Sequence, residues 1–379
     1  MNNTEIQKAI SQFCELRYNS ILSAVEIKWQ YEQQYRRIND RDINSLFFMC
    51  EENGTKIPLQ QLYTYINSNK IAKYDPIRYY FDNLPVWDGR DYIKQLCNHI
   101  YVEEDKEFFQ LMLRKWLIRA VKCALEDDFY NKQMLVFISN KQDIGKTYLC
   151  RWLCPPALKD YFTDTPSNGK DEILQTACSF LILHDEMAKF KSKDIDELKA
   201  SLSRNSITVR LPYDKYPQVF PRRCSYLGTS NREMLLNDET GSVRFICFSV
   251  EHIDFNYSKT IDINKLYSQV YALYLAGDDC ELTNAEKDIM QNSNDKYFIE
   301  MSEIDLVAKY FIPPANNADD DDILYLSSSE IASFLQEREN VQINTINLGK
   351  ALTKMHFQKI QKKVNGMPRY KYVLKTKQQ

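Results

Sequence analysis

Residues 134–147 read M-L-V-F-I-S-N-K-Q-D-I-G-K-T, and this stretch decides the fold. Residues 134–138 are all apolar and predict a short buried strand, which a polar, turn-prone loop follows. Gly145-Lys146-Thr147 then opens a predicted helix, Tyr148 to Leu153. A strand, a loop and a helix beginning at G-K-T form the arrangement that surrounds nucleotide phosphates. Its backbone N–H groups face the anion, the lysine reaches the β- and γ-phosphates, and the threonine hydroxyl contacts Mg²⁺.

One position of this loop departs from the usual pattern. In G-x-x-x-x-G-K-[S/T] the first residue is glycine, whereas this chain has Asn140. Because Asn tolerates left-handed backbone angles better than other non-glycine residues, we expect the loop geometry to be retained. The predicted nucleotide-binding residues are those of the loop and the first helical turn: Asn140, Asp143, Ile144, Gly145, Lys146, Thr147 and Tyr148.

Composition and charge exclude several classes of protein. The 379 residues suffice for roughly two to four domains, and the apolar (44%) and charged (27%) fractions are typical of a soluble globular protein. The net charge of −3 excludes a uniformly basic surface but leaves local basic patches open. No apolar run approaches the roughly 20 residues of a membrane span. The N-terminus lacks an apolar signal core, so we expect a cytoplasmic protein. The ten cysteines include no C-x-x-C pair, which predicts free, mostly buried thiols.

A second buried strand is predicted at residues 180–184, and it ends in Asp185-Glu186. A carboxylate pair about forty residues after G-K-T suits a P-loop ATPase. In such a site the Asp holds the Mg²⁺ shell, and the Glu orients or deprotonates the attacking water. We therefore predict Thr147 and Asp185 as metal ligands and Glu186 as a catalytic residue. The alternative is that the acidic pair simply ends a strand at the surface.

Two further polar side chains accompany later predicted strands. Residues 226–231 form a strand that ends in Asn231, where a polar side chain can contact the γ-phosphate or the attacking water. Thirteen residues on, Arg244 precedes another β-like run, 245–250. An arginine there can complete a neighbouring subunit's site by neutralising charge on the transferred phosphoryl group. An ordinary surface arginine is the alternative.

Residues 206–220 predict a hairpin with a basic, aromatic tip. Ile207, Val209 and Leu211 alternate along the first strand, and the turn-rich segment 212–217 precedes the second. Such a tip suits a phosphate contact and a stacked base. The candidate DNA-binding residues of this region are Arg210, Tyr213, Lys215, Arg222 and Arg223.

An accessory α+β domain is predicted for residues 1–100. Alternating residues within 15–29 indicate strands, a helix is expected from the Asn39 cluster to about Asn53, and another begins after Pro58. A role in binding DNA or a partner is left open for this domain.

The ATPase motifs fall within a predicted domain at 101–255, which also contains an amphipathic helix, 108–126. A helical region, 256–315, and an acidic linker, 316–322, are expected to follow. A solvated face is expected for the basic residues of the amphipathic helix: Arg114, Lys115, Arg119 and Lys122.

The last segment, 323–379, differs in character. Two predicted helices, capped at Ser327 and starting near Asn344, precede two β-like runs that flank Asn365-Gly366, a strong hairpin signal. From Leu326 onward ten Lys or Arg residues stand against three acidic ones, a charge of +7 on an acidic background. A basic helix–helix–hairpin segment is typical of a DNA-binding winged helix. A protein-contact role is the alternative.

With these motifs together, the chain resembles the virulence-associated protein E family of phage, phage-satellite and mobile-element proteins. The resemblance covers roughly residues 15–250. It implies an AAA+-like α/β P-loop core related to superfamily-three helicases, which are ring-forming ATPases associated with replication initiation. The segments that carry the resemblance are D-N-L-P-V-W-D-G-R (82–90), the loop segment, L-I-L-H-D-E (181–186), V-R-L-P-Y (209–213), F-P-R-R (220–223), G-T-S-N (228–231) and N-D-E-T-G-S-V-R-F (237–245).

The resemblance also implies roles for single residues. The region 210–223 corresponds to the hairpin that grips DNA in the ring pore. Val243 replaces one member of an Arg-Arg pair common in the family, which leaves Arg244 alone in that role. The remaining correspondences are Lys146 and Thr147 to Walker A, Asp185 and Glu186 to Walker B, Asn231 to sensor 1, and Arg244 to an arginine finger.

The implied cofactors are ATP and Mg²⁺, and the implied partners are single-stranded DNA in the pore and duplex DNA at the C-terminal domain. The implied assembly is a homo-oligomeric ring, with a hexamer favoured. We therefore expect an ATP-dependent DNA helicase or replication initiator of a phage-related or mobile genetic element. The alternative is a nucleotide-switched DNA-binding initiator or regulator without motor activity. A small-molecule kinase is disfavoured, because Asp185-Glu186, Asn231 and Arg244 follow the order of ring ATPases.

Overall fold

The chain divides into two units, Met1–Phe298 and Ile299–Gln379. The structure is a computed structural model, and its mixed α/β architecture confirms the fold class at that level. The finer division into 1–100, 101–255, 256–315 and 323–379 stays a prediction. The described residues are 2–164, 166, 170–190, 192–210, 216–231, 243–294, 302–314, 323–339, 343, 345–364 and 367–377.

A small sheet with helices on it opens the first unit. Its strands are β1 (Cys14–Asn19), β2 (Ala24–Trp29), β3 (Arg36–Arg37) and β4 (Lys73–Tyr74), in the order β3-β2-β1-β4. They share an apolar core with α1 (Asn3–Ser11), α2 (Asp40–Glu52) and α3 (Leu59–Ile66). The predicted strands and both predicted helices of this region are confirmed. The start of α2 is determined by neighbouring residues, because Asn39 and Asp42 form a reciprocal capping box there.

Connecting helices lead to a larger sheet. The helices are α4 (Pro76–Asp82), α5 (Tyr92–Asn98) and α6 (Lys106–Leu125), of which α6 is the predicted amphipathic helix. The strands are β5 (Ile100–Val102), β6 (Met134–Ile138), β7 (Phe162–Asp164), β8 (Leu181–His184), β9 (Ser206–Val209), β10 (Gln218–Pro221), β11 (Ser225–Ser230) and β12 (Phe245–Ile253). Strands β9 and β10 form a separate antiparallel pair.

The remaining six strands form one sheet in the order β5-β12-β6-β11-β8-β7 within the described residues. Neighbours from β12 to β7 are parallel, and β5 is antiparallel to β12. Strand β6 is central and buried on both faces, which is why its sequence is a continuous apolar run. Leu135 and Phe137 pack on one face, and Met134, Val136 and Ile138 pack on the other. Helices α7 (Lys146–Trp152), α8 (Lys170–Cys178), α9 (Ser192–Leu202), α10 (Tyr257–Thr260), α11 (Ile263–Leu275) and α12 (Asn284–Asn294) complete this unit.

Two basic residues of α6 are buried, contrary to the expected solvated face. Lys115 Nζ donates to the Glu281 carbonyl (2.7 Å) and to Glu286 Oε2 (2.8 Å). Arg119 donates to Asn131 Oδ1 (3.0 Å) and to Glu281 Oε1 (2.6 Å). A buried cation is tolerated only when it is paired. The segment before and within α12 supplies Glu281 and Glu286, and the segment before β6 supplies Asn131. The helical pattern of α6 alone did not reveal that this face is covered.

The second unit contains α13 (Ser302–Tyr310), β13 (Phe311–Ile312), β14 (Leu324–Leu326), α14 (Ser328–Glu339), α15 (Thr345–Lys354), β15 (Lys359–Val364) and β16 (Met367–Thr376). Strand β16 pairs antiparallel with β13, β14 and β15. The two predicted helices and the paired strands are confirmed, while Asn365-Gly366 lies outside the described residues. The acidic segment 316–322 also lies outside them. Because α13 and β13 share the core of this unit, the unit begins upstream of the expected linker.

All ten cysteines are free thiols and nine are buried, as the sequence predicts. Across the part of the chain that the structure describes, no helix combines the length and apolar character needed to cross a membrane.

Candidate functional site

The candidate site lies at the carboxyl ends of β6, β11 and β8, three neighbouring parallel strands. Ligands of open α/β sheets bind at this edge, because the loops that follow the strands meet there. The loop after β6 leads to Lys146, Asp185 directly follows β8, and Asn231 directly follows β11. Residues distant in sequence are therefore brought together.

The loop between β6 and α7, residues 139–145, is tied to β11 at its start. The Ser139 backbone N–H donates to the Ser230 carbonyl (3.1 Å). Left-handed backbone angles occur at Asp143 (φ 57°) and Gly145 (φ 94°). Asn140 has no positive φ, so it does not use the left-handed angles on which its tolerance was argued. The loop instead uses them at Asp143, another residue type that accepts them.

Lys146 holds a positive charge in the middle of the site. Its side chain is 6% exposed, and Nζ donates to Asn231 Oδ1 (2.9 Å) and to the Lys141 carbonyl (3.2 Å). Burial lowers the pKa of Lys146, and the nearby carboxylates of Asp185 and Asp143 act in the opposite direction. Both hydrogen-bond acceptors found among the described residues are neutral oxygens, an arrangement that suits an anionic ligand.

Asp185 is oriented by donors from three elements. Its Oδ1 accepts from Thr147 Oγ1 (2.9 Å), from Thr229 Oγ1, and from the Glu186 backbone N–H (3.1 Å). A carboxylate beside a threonine hydroxyl is an oxygen donor pair of the kind that Mg²⁺ prefers. Among the described residues no group of three or more His, Cys, Asp or Glu could hold a metal ion.

Thr229 is a site residue that sequence reasoning missed. Besides its bond to Asp185, its Oγ1 accepts from the Glu186 backbone N–H (3.2 Å). The available signal was strand periodicity, because Thr229 lies two residues before Asn231 and alternate residues share a strand face. The position before it, Gly228, packs closely against two methionine side chains. A Cβ on Gly228 would lie 2.6 Å from both Met134 Cε and Met187 Sδ.

Glu186 is exposed and has left-handed backbone angles (φ 54°). Such angles are uncommon for glutamate and concentrate at functional sites. Its carboxylate forms an ion pair with Lys189. The backbone of Glu186 is thus held by Asp185 and Thr229, while its carboxylate is engaged by a surface lysine.

His184 is the last residue of β8, directly before these carboxylates, and it is buried. Burial lowers the pKa of His184 to about 4, so the imidazole is neutral at pH 7. Its ring stacks on Tyr226, with centroids 5.7 Å apart, and meets the Phe190 ring edge-on. In the described structure His184 Nε2 has no hydrogen-bond partner. The imidazole therefore contributes packing rather than charge.

Arg244 lies at the opposite edge of the sheet. It precedes β12, whose first residue, Phe245, pairs with Met134 at the start of β6. The five residues of β6 separate that edge from the loop, a distance of about 17 Å. Arg244 Nε donates to Ser203 Oγ (3.2 Å). The arginine lines a cavity of about 320 Å³ together with Tyr130, Lys132, Gln133, Glu281 and Lys287. Within one copy of the chain, Arg244 and Lys146 do not share a site.

The predicted DNA-binding residues fall into three groups. Arg210 is exposed directly after β9, whereas Tyr213 and Lys215 lie outside the described residues. Arg222 is 1% exposed and donates to the carbonyls of Arg204, Asn131 and Leu202 at 2.8 to 3.2 Å. Its guanidinium is therefore not available to DNA, which corrects the expectation.

Arg223 is also engaged within the protein. It donates to the Ala124 carbonyl (2.7 Å) and to Asp127 Oδ1 (2.7 Å). The two arginines after β10 thus attach the hairpin to the end of α6 and to the segment before β6.

A family model for the virulence-associated protein E-like domain matches residues 81–299, more than half of the chain. Among solved structures, the apo C-terminal region of NrS-1 (residues 305–718) is similar at a TM-score of 0.52 and 13% identity, with 98% of each chain covered. An A-form apo structure of the same region has a TM-score of 0.50, 12% identity and the same coverage. At these identities the likeness concerns the fold alone. A search of curated proteins gave no match. The family resemblance drawn from the sequence is confirmed, and the chain belongs to the virulence-associated protein E-like family.

Proposed function

We propose that this chain is an ATP-hydrolysing protein that acts on DNA, a helicase or replication initiator of a phage-related or mobile genetic element. One observation carries the proposal. Lys146, Thr147, Asp185 and Asn231 converge at one edge of the sheet, with Lys146 bonded to Asn231 and Thr147 bonded to Asp185. This is the set that a P-loop ATPase needs around the phosphates and their metal ion.

The order of the strands supports an AAA+-like core. Counted from β6 along the chain, β6, β7, β8, β11 and β12 are strands 1 to 5, and their order in the sheet is 5-1-4-3-2. Strand 4 lies between strands 1 and 3, so Asn231 lies between the loop that follows strand 1 and the carboxylates that follow strand 3. This placement supports the sensor 1 role that the family resemblance implies for Asn231.

ATP and Mg²⁺ fit the residues present. Lys146 and the N–H groups at the start of α7 would hold the phosphates, and Thr147 and Asp185 would hold Mg²⁺, which takes few protein oxygens when phosphates supply others. The metal ion neutralises negative charge on the phosphoryl oxygens. Asn231 would orient the attacking water, and Glu186 would accept its proton.

A ring is proposed because the site is incomplete within one copy. Arg244 is the candidate arginine finger, and it lies about one strand length from the site of its own chain. In a head-to-tail ring one edge of each copy faces the opposite edge of the next, so Arg244 would reach a neighbour's phosphates. We propose a homo-oligomeric ring, with a hexamer favoured.

DNA contact in the ring pore is proposed for the β9–β10 hairpin. Arg210 is exposed after β9, and Tyr216 and Val219 are exposed before and within β10. A cation with exposed apolar and aromatic side chains suits a single strand, whose phosphates bind cations and whose bases stack on rings.

Duplex DNA binding is proposed for the second unit, which we interpret as a winged-helix-like domain. Helices α14 and α15 precede the β15–β16 hairpin. Lysines line this hairpin, among them Lys362 over the Tyr325 ring (3.1 Å to the centroid) and Lys359 over the Tyr370 ring (5.1 Å). A basic hairpin that follows two helices supplies the clustered positive charge that binding to DNA phosphates requires.

A nucleotide-switched DNA-binding protein without motor activity is the second candidate. The Glu186–Lys189 ion pair favours it, because a catalytic carboxylate held by a lysine does not act on water. In that case ATP would bind and change DNA affinity without turnover.

Phosphate release with and without single-stranded DNA tests the proposal. We expect turnover by the wild type, stimulation by DNA, and a loss on the order of 100-fold or more in Lys146→Ala. Lys94→Ala, which removes an exposed lysine of α5, is the matched control and should behave like the wild type. Equal phosphate release by the wild type and Lys146→Ala would refute the ATPase. ATP binding without any turnover would favour the switch.

A further inference from the structure

Two half-exposed aromatic rings lie beside the loop that precedes α7. Tyr148 is the third residue of α7 and is 50% exposed, and Phe255 follows β12 and is 47% exposed. Their ring centroids are 5.9 Å apart and their planes meet at 53°. The two rings therefore form an open corner rather than a closed stack.

The Phe255 ring is held against the loop itself. A Cβ on Gly145 would lie 2.6 Å from Phe255 Cζ, and Gly145 also has φ 94°. Only glycine meets both demands. Tyr257, fully buried, lies under the corner, with its ring 6.4 Å from that of Tyr148 and edge-on to Trp152 at 4.9 Å. The rings are thus positioned by the core and by the loop.

The order of the strands indicates on which side of β6 each end of a bound nucleotide would lie. Strands β11 and β8, which carry Asn231 and Asp185, lie on one side of β6, and β12 lies on the other. Lys146 and Thr147 bond toward β11 and β8, so the terminal phosphates and the metal ion belong on that side. The nucleoside end of a triphosphate in this loop then extends toward β12, where the corner lies.

We propose that Tyr148 and Phe255 bind the base of the nucleotide by packing against its flat faces and edges, a binding role for Phe255 in addition to the proposed ATPase site. The inference rests on the proposed function. Aromatic packing accepts every base, because each has a π-face, and it strengthens with ring area. The protein should therefore bind ATP and GTP with similar affinity, and UTP more weakly.

Calorimetric titration of the full chain with ATP, GTP, UTP and inorganic tripolyphosphate, each with Mg²⁺, tests this assignment. We expect Tyr148→Ala and Phe255→Ala to weaken ATP binding by about ten-fold or more and to leave tripolyphosphate binding unchanged. Tyr148→Phe keeps the ring and should keep ATP affinity. Tyr31→Ala, which removes an exposed ring of the N-terminal sheet region, should change neither affinity.

Each other outcome overturns the assignment. Equal loss of ATP and tripolyphosphate affinity would mean that the rings only support the loop. Unchanged ATP affinity in both alanine variants, or strict preference for one purine, would mean that the base is bound elsewhere or read by its polar edge. Failure of the wild type to bind ATP and tripolyphosphate would overturn the proposed function as well.

Discussion

Asp185 and Glu186 are adjacent carboxylates in different surroundings. Donors from α7, β11 and the Glu186 backbone converge on Asp185 and fix its orientation. Glu186 is exposed, and its carboxylate meets Lys189 three residues away. An exposed ion pair contributes little free energy, so binding of nucleotide can break it at small cost. The two residues therefore suit different roles, Asp185 as a fixed ligand and Glu186 as a group that moves.

Glu186→Gln should separate nucleotide binding from hydrolysis. The amide keeps the size of the side chain but cannot accept a proton, so we expect ATP affinity within about two-fold of wild type and a turnover lower by about 100-fold or more. Equilibrium binding and phosphate release measure the two quantities. Lys189→Ala, which frees the carboxylate, should retain turnover. Comparable hydrolysis by Glu186→Gln would exclude the proposed role.

Asp42 provides a pH-dependent contribution to stability. Two hydrogen bonds from Arg36 (2.7 Å each) lower the pKa of Asp42 below its usual value. Since the pKa is depressed in the folded state, the stabilisation is present above about pH 4 and is lost as the pH falls through the folded-state pKa. Asp42→Asn should reduce the free energy of unfolding at pH 7 by about 1–3 kcal/mol.

Urea denaturation at pH 7 and at pH 3 measures this contribution. The difference between wild type and Asp42→Asn should shrink at the lower pH. Asp40→Asn changes an exposed carboxylate in the first turn of the same helix and is the control. A difference that grows on acidification would contradict the assignment.

At the scale of elements, the β9–β10 hairpin is attached to the protein by its base. Arg222 donates to three carbonyls, two at the end of α9 and just after it and one in the segment before β6, and Arg223 donates to a carbonyl near the end of α6. Because these bonds fix the base of the hairpin and Arg210 is exposed, the hairpin is suited to move as a rigid element together with the segments that hold it. The arginines of this hairpin therefore differ in burial and in their contacts, although they are close in sequence.

Arg222→Met and Arg210→Ala should have opposite effects. Arg222→Met leaves buried carbonyls without donors, so we expect the free energy of unfolding to fall by about 3 kcal/mol. Arg210→Ala should change stability by less than about 0.5 kcal/mol and weaken binding of single-stranded DNA. Urea denaturation and fluorescence anisotropy measure the two effects. Normal stability of Arg222→Met would show that the guanidinium does not hold the hairpin.

At the scale of the whole molecule, the proposed ATPase site needs residues from more than one copy. The parallel arrangement of β6 and β12 separates Lys146 and Arg244 by the length of a strand. A chain that uses both residues must therefore combine them between copies. Particle mass measured with ATP, Mg²⁺ and DNA present would report the assembly directly.

Mixing two inactive variants tests the shared site. Lys146→Ala and Arg244→Ala should each lower turnover, and Arg244→Ala should leave ATP affinity within about three-fold of wild type. In a mixed assembly some interfaces pair an intact Lys146 with an intact Arg244, so part of the activity should return. Mixing Lys146→Ala with Glu186→Gln is the control. Both changes fall on the same side of the interface, so every interface of that mixture lacks either Lys146 or Glu186 and no activity should return. Absence of any rescue would contradict the role of Arg244 between copies.

The sequence by itself determined the local elements and part of the site. Apolar runs predicted β6, β8, β11 and β12, and capping residues predicted where helices begin, because burial patterns and caps act over a few residues. The same apolar runs predicted which polar residues lie at the ends of the strands. Lys146, Thr147, Asp185 and Asn231 do come together, since parallel strands bring their carboxyl ends to one edge.

Only the tertiary structure decided which side chains are covered and which ends of the chain's elements meet. It buried Lys115, Arg119 and Arg222 against acceptors distant in sequence, and it brought Thr229 to Asp185 and Phe255 to Gly145. It also separated Arg244 from the loop. These outcomes depend on strand order and on contacts between distant segments, and a pattern that extends over a few neighbouring residues carries no information about either.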